Sequence, residues 1–202
     1  MSQKLIVFLR TPCLGQVKTR LAQAIGGEAA LQAYRMLVAQ LLENLGCLQN
    51  VELRFTPDSA GAELAPWLRS GWTLMPQGEG NLGERLARAF HESFAGGSQR
   101  VVIIGSDCPA VSSADIESAW HSLLTKSVVL GPASDGGYWL IGLREPQPGL
   151  FENVPWSTSA VLETTLAHAR NAGLTLHCLH ELTDIDTAAD WEEFNRAIQP
   201  NA

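Results

Sequence analysis

No stretch of the 202 residues comes near the roughly 20 consecutive apolar side chains that a membrane-crossing helix needs, so a transmembrane segment is not expected. Cysteine is sparse and scattered. Cys13, Cys47, Cys108 and Cys178 form no CxxC pair and no Cys/His cluster, which argues against zinc fingers and for reduced thiols. The five histidines, His91, His121, His168, His177 and His180, contain no HExxH; only His177 and His180, close to the acidic 183–187 segment, leave a minor ligand alternative. A basic excess is missing too. The formal net charge of -7 leaves no basic face for sequence-independent binding to DNA or RNA, although a small nucleotide needs only a few local cations. The apolar run at 5–9 is shorter than a signal peptide's apolar region and lacks a small-residue cleavage site, so a cytoplasmic location is expected. Also absent are GxxxxGK[ST], the three-glycine dinucleotide fingerprint and a GxSxG elbow around Ser106.

What is present is an alternation of strand-like and helix-like segments. Strands are expected at 5–9, 51–55, 72–75, 101–104, 128–130, 138–143 and 174–179. Helices are expected at 28–45, from 57–59 to about 68, and at 82–94, 113–124, 159–172 and 187–198. Residues 146–149 read as a surface loop, and Trp67, Trp72 and Trp120 as core or interface, with exposed tryptophans permitting a homodimer. There is no internal repeat, low-complexity tract or linker. A 46% apolar chain of this length can bury a full core as one domain, 1–202. The expected fold class is α/β, a three-layer sandwich around a mainly parallel mixed sheet. Ligands of such sheets bind outside the carboxyl ends of the strands, where the segments after the first, fourth and fifth strands should converge.

Four segments carry chemistry. In the loop Leu9-Arg10-Thr11-Pro12-Cys13-Leu14-Gly15-Gln16-Val17-Lys18-Thr19-Arg20-Leu21, three cations crowd the start of a short helix, which fits either an anion site or a basic capped loop. Ile104-Gly105-Ser106-Asp107-Cys108-Pro109 delivers a carboxylate to the end of the most apolar strand; a magnesium ligand is preferred to a turn cap. Gly131-Pro132-Ala133-Ser134-Asp135-Gly136-Gly137-Tyr138 reads by itself as a turn between strands. In Thr183-Asp184-Ile185-Asp186-Thr187, Asp186 caps the last helix or completes a metal site, and alone the cap is preferred.

Together these segments resemble a bacterial glycosyltransferase family whose members are often described as uncharacterised. That family has the nucleotide-diphospho-sugar transferase (GT-A) fold and is related to the 2-phospho-lactate and molybdenum-cofactor guanylyltransferases. The resemblance rests on Pro12-x-x-Gly15-x-x-Lys18-Thr19-Arg20-Leu21, Leu82-Gly83-Glu84-Arg85-Leu86 and Ile104-Gly105-Ser106-Asp107-Cys108-Pro109. It continues in Gly131-Pro132-Ala133-x-Asp135-Gly136-Gly137-Tyr138, Trp156-Ser157-Thr158 and Asp184-Ile185-Asp186-Thr187-x-x-Asp190, in order over nearly the whole chain.

The resemblance implies that Arg10, Gly15, Lys18, Thr19 and Arg20 hold a nucleotide's phosphates, with Leu82, Gly83 and Arg85 near its base or ribose. It implies Mg2+ or Mn2+ on Asp107, which stands alone rather than in an Asp-x-Asp pair, with Asp186 as the candidate second ligand. Asp135, Gly136, Gly137 and Thr158 would face the acceptor or sugar, and Lys18, Arg20 and Asp135 would take part in catalysis. The expected partners are a nucleotide or nucleotide-sugar and a small-molecule acceptor. Glycosyl transfer is favoured. The alternatives are nucleotidyl transfer from a nucleoside triphosphate to a phosphorylated acceptor, and a non-catalytic nucleotide-binding protein.

Overall fold

In the computed structural model, which describes residues 2–198, strand β1 (Gln3–Arg10) buries five residues in a row, Leu5 to Leu9. Successive strand side chains point to opposite faces. Leu5, Val7 and Leu9 accordingly join one apolar cluster, and Ile6 and Phe8 another. Strand β4 (Arg100–Ile104) divides in the same way, with Val102 and Ile104 on one side and Val101 and Ile103 on the other. A strand apolar on both faces requires cover on both.

Helices α2 (Gly27–Asn44) and α4 (Ser113–Ser122) supply the first cover through Tyr34, Val38, Leu41, Leu45, Ile116 and Trp120. Helices α3 (Leu82–Ala95) and α5 (Val161–Asn171) supply the second through Leu86, Phe90 and Ala169. Each such buried Leu or Phe contributes about 1.5–3 kcal/mol relative to its exposed state. A third, smaller cluster joins α1 (Thr19–Ile25) to α2 and to the last helix, α6 (Ala188–Ile198), through Leu21, Ala30, Ala33, Ala188 and Trp191.

The remaining strands are β2 (Val51–Thr56), β3 (Thr73–Pro76), β5 (Val128–Pro132), β6 (Tyr138–Leu143) and β7 (Leu176–Cys178). They complete one sheet of order β3-β2-β1-β4-β6-β5-β7, parallel except where β6 runs antiparallel to β4 and β5. The chain winds outward from β1 to β3, then returns to add β4 on the other side of β1. The strand order therefore reverses between β1 and β4, the position at which sheets of this class bind ligands beyond the carboxyl ends of the strands.

Several sequence expectations are corrected. The 58–67 segment is a 3-10 helix with Pro66 inside it; a residue without an N–H, whose ring blocks the preceding turn, does not continue an α-helix. The loop expected at 146–149 runs into a 3-10 turn, Pro148–Phe151, that buries Leu150 and Phe151 against α3 and α5. None of the six tryptophans is exposed. Trp72, Trp120 and Trp139 are buried, and Trp67, Trp156 and Trp191 are half-buried, which removes the argument for a homodimer from surface tryptophans.

Candidate active site

The end of β1 is held from the helix above it. The Tyr34 hydroxyl of α2 donates to the Arg10 carbonyl at 2.8 Å and accepts from the Arg10 N–H at 3.0 Å. With its one proton so engaged, it accepts from Ser106 Oγ, 3.4 Å away beyond the end of β4. One phenol thus ties together the two strand ends that flank the reversal.

From Arg10 the chain turns through Gly15, whose φ of 75° favours a residue without Cβ, to Lys18. Lys18 adopts the left-handed conformation (φ 47°, ψ 46°) as it opens α1. Its ammonium is buried, with side-chain exposure of only 2%, and lies 2.5 Å from Asp107 Oδ1 and 2.8 Å from Asp186 Oδ1. The two carboxylates are themselves 48% and 44% exposed. Burial works against the charge on Lys18, but the paired carboxylates outweigh it and hold the pKa above the ordinary lysine value. Arg10 at the end of β1 and Arg20 at the start of α1 are exposed, as are Gly15 and Thr19, and neither arginine forms an ion pair among the described residues.

Asp186 reaches this point because the 183–186 segment is laced to β4. Ile185 N–H donates to the Asp107 carbonyl at 3.0 Å, and the buried Cys108 thiol donates to the Thr183 carbonyl. Burial raises the Cys108 pKa to about 12, so it stays a neutral thiol at pH 7. The capping alternative for Asp186 is corrected here: Thr187 and Asp190 form the reciprocal cap of α6, with Asp190 Oδ2 accepting from Thr187 N–H at 2.7 Å. The Asp186 side chain is thereby left for Lys18.

Asp184, which was not singled out, lies in the same cluster. Its pKa is raised to about 7 by burial and then by the charges of Asp107, Asp135 and Asp186, against the opposing pull of Lys18. The motif Asp184-Ile185-Asp186 does carry the signal, since alternate residues share a side of an extended segment.

The Asp135-Gly136-Gly137 segment is the turn of the β5–β6 hairpin, with Gly137 N–H donating to Asp135 Oδ1 at 2.8 Å. Gly136 (φ 87°) leaves no room for a Cβ against the Ser159 backbone. Asp135 thus shapes the turn, as read from the segment alone, and its charge is one of those that raise the Asp184 pKa. Thr158 Oγ1 donates to the Pro155 carbonyl and accepts from Ala160 N–H within its own turn.

On the other side of β1, Leu82, Gly83 and Arg85 begin α3 behind the Asn81/Glu84 capping box. Leu82 is exposed, whereas Gly83 is buried under Phe151 and Trp156. Arg85 donates to the Gly80 carbonyl at 2.8 Å and to Gln77 Oε1 at 3.4 Å. Gln77 is a further residue missed from sequence; its buried amide donates to the Leu9 and Arg54 carbonyls and joins α3 to the ends of β1 and β2. His180 lies 3.7 Å from Asp115, and its ring is tilted against that of Trp139 with centroids 5.8 Å apart.

No group of three or more His, Cys, Asp or Glu side chains with metal-holding geometry occurs among the described residues. Two carboxylate oxygens nevertheless face one point, occupied by the Lys18 nitrogen. Magnesium commonly takes one or two carboxylates and completes its octahedron with substrate phosphates and water. The donor set fits such an ion.

A family model described as "Uncharacterized protein conserved in bacteria (DUF2064)" matches residues 37–158, more than half of the chain. The chain belongs to the DUF2064 family. Among solved structures, this DUF2064 chain is similar to a candidate nucleotide-diphospho-sugar transferase from Desulfovibrio desulfuricans G20. The two share 31% identity over 100% of this chain and 90% of the other, with a TM-score of 0.92.

Its fold is also that of a CMP:2-keto-3-deoxy-manno-octonic acid synthetase solved with CTP, at 10% identity, 99% coverage of both chains and TM-score 0.63. A Mycobacterium tuberculosis H37Rv protein solved with manganese matches at 13% identity, 96% and 97% coverage and TM-score 0.51. No match was found among curated proteins. The DUF2064 chain therefore has the nucleotide-diphospho-sugar transferase fold, and no described helix is long and apolar enough to cross a membrane.

Proposed function

We propose that this protein is a divalent-metal-dependent transferase that takes a nucleotide-activated donor at the carboxyl ends of β1 and β4. The observation that carries this reading is the meeting of Lys18, Asp107 and Asp186, drawn from three distant parts of the chain, at the reversal of strand order. Asp107 and Asp186 would hold Mg2+ or Mn2+, which when bound neutralises phosphate charge as the leaving group departs. Arg10 and Arg20, exposed and unpaired, would bind the phosphates together with Lys18, and the backbone of Gly15 and Thr19 would line their path. Leu82, Gly83 and Arg85 would border the base or ribose. Asp135, Gly136, Gly137 and Thr158 would border the sugar or acceptor, with Asp135 the group nearest in chemistry to a general base. Catalysis of this type rests on positioning and charge neutralisation.

Glycosyl transfer from a nucleotide-diphospho-sugar is the first reading, supported by the description of the 31%-identical relative. Nucleotidyl transfer is the second, favoured by three cations on one loop, which suits a triphosphate and a departing pyrophosphate. A panel of nucleoside triphosphates and nucleotide-sugars, each with Mg2+, should raise the melting temperature for the true donor class. Release of nucleoside diphosphate marks glycosyl transfer, and release of pyrophosphate marks nucleotidyl transfer. Binding without either product would reduce the protein to a nucleotide-binding role. Asp107→Asn should lower turnover at least about a hundred-fold while the protein stays folded; full activity in that variant would falsify the assignment of Asp107.

A further inference from the structure

The charges around this site are unequally matched. Arg10 and Arg20 have no ion-pair partner among the described residues, while Lys18 between them in sequence is turned inward and buried between two half-exposed carboxylates. Its backbone is left-handed, a conformation that costs a residue with a Cβ about 1 kcal/mol or more. The ion pairs offset that cost. Their oxygens are also the ones assigned above to a divalent cation, and two cations cannot share so small a space.

We propose that the Lys18 ammonium is the resident counter-ion of the metal position: a divalent cation must displace it from Asp107 and Asp186, and the displaced ammonium becomes the third phosphate-binding cation. Metal entry and phosphate capture are then linked through one side chain. Without a phosphate ligand the divalent ion binds weakly, because it competes with an ammonium tethered in place. With phosphates present, the released Lys18 gains a new anionic partner, and the two ligands favour each other. This inference rests on the metal assignment under Proposed function and adds an order to it.

Mn2+ alone is the probe, with free Mn2+ counted by electron paramagnetic resonance. Lys18→Met should bind Mn2+ about ten-fold more tightly than the unsubstituted protein, within the usual range of coupling between ligands. The double variant Lys18→Met/Asp107→Asn should lose that gain. Equal or weaker binding by Lys18→Met overturns the proposal, as does tight binding that survives loss of Asp107.

A second measurement needs no variant. Amine acylation read by peptide mass spectrometry should leave Lys18 poorly labelled, and labelling should rise with Mn2+ while Lys4 and Lys126 stay constant. Lys18 labelling that is indifferent to Mn2+ overturns the proposal even if Lys18→Met fails to fold. A melting-temperature rise with nucleotide and Mg2+ alongside indifferent labelling would leave the transferase reading standing and remove only this one.

Discussion

The single hydroxyl of Tyr34 satisfies both main-chain groups of Arg10, at 2.8 and 3.0 Å. The last residue of β1 is thereby fixed where the cation-bearing loop departs, and the same oxygen touches Ser106 at the departure of the Asp107 loop. Burial, the main cause, pushes the Tyr34 pKa up to about 12, so the hydroxyl keeps its proton throughout the neutral range.

Tyr34→Phe keeps the ring and its packing but removes these partners. Unpaired buried groups cost about 1–3 kcal/mol, so urea unfolding should show a loss of that size. Nucleotide affinity should fall as well, because the phosphate loop loses its fixed origin. Unchanged stability and affinity would mean that the clamp is redundant.

Asp184 ties stability to pH. Its pKa in the folded protein is about 7, raised from an ordinary value of 3.8 by burial first and by Asp107, Asp135 and Asp186 next. Between those two values the folded chain holds a proton that the unfolded chain has released. The native state is therefore the better proton binder, and stability falls as pH rises through that window. Below it the effect vanishes; above about 7 the penalty is complete. Asp184→Asn imitates the protonated form, so its melting temperature should exceed that of the unsubstituted protein at pH 8 and match it near pH 4. A difference that does not grow with pH would refute the assignment.

The parts of this architecture readable in the sequence were those governed by short-range pattern. The β-branched and leucine runs of β1 and β4 announce strands covered on both faces. Asp107 was identifiable as a carboxylate three residues past the end of β4, and Lys18 as a cation at the end of the loop that leads from β1 into α1. The position of Asp186 was not decidable locally, because Thr187 and Asp190 offer the same cap three residues apart and only the tertiary structure shows that the Asp186 side chain pairs with Lys18 instead. Gln77 was illegible for a similar reason: its worth lies in reaching carbonyls at the ends of two different strands.

Gly83 lies in the 82–86 segment proposed to border a base or ribose, yet its surroundings impose a packing requirement of their own. A Cβ there would lie 2.7 Å from the Phe151 carbonyl and 2.9 Å from the Trp156 indole nitrogen. Gly83→Ala should therefore destabilise the protein by about 1–3 kcal/mol through overpacking. Gly149→Ala, which meets nothing within 4 Å, is the control and should be nearly neutral. If Gly83→Ala is equally neutral, the contact of α3 with Trp156 is looser than described.

Strand β2 carries its charges into the interior. Glu52 and Arg54 are buried beside each other on the face turned toward α3 and are bonded directly. Lys4 pairs with Glu52 at 2.7 Å, and Glu92 of α3 pairs with Arg54 at 2.6 Å. Arg54→Met removes the central cation and leaves Glu52 buried with Lys4 as its remaining partner. Breaking one side of a buried pair typically costs about 3–5 kcal/mol. Glu92 is 45% exposed, and solvent screens its pairing, so Glu92→Ala should cost no more than about 1 kcal/mol. Glu52→Leu combined with Arg54→Met should be far less damaging than the single variants sum to, because no fully buried charge is then left stranded and Lys4 and Glu92 can reach solvent. Urea unfolding of the unsubstituted protein, Arg54→Met, Glu52→Leu, Glu92→Ala and the double variant tests this ordering. A Glu92→Ala loss equal to that of Arg54→Met would show that the network draws its strength from its exposed end rather than from the buried pair.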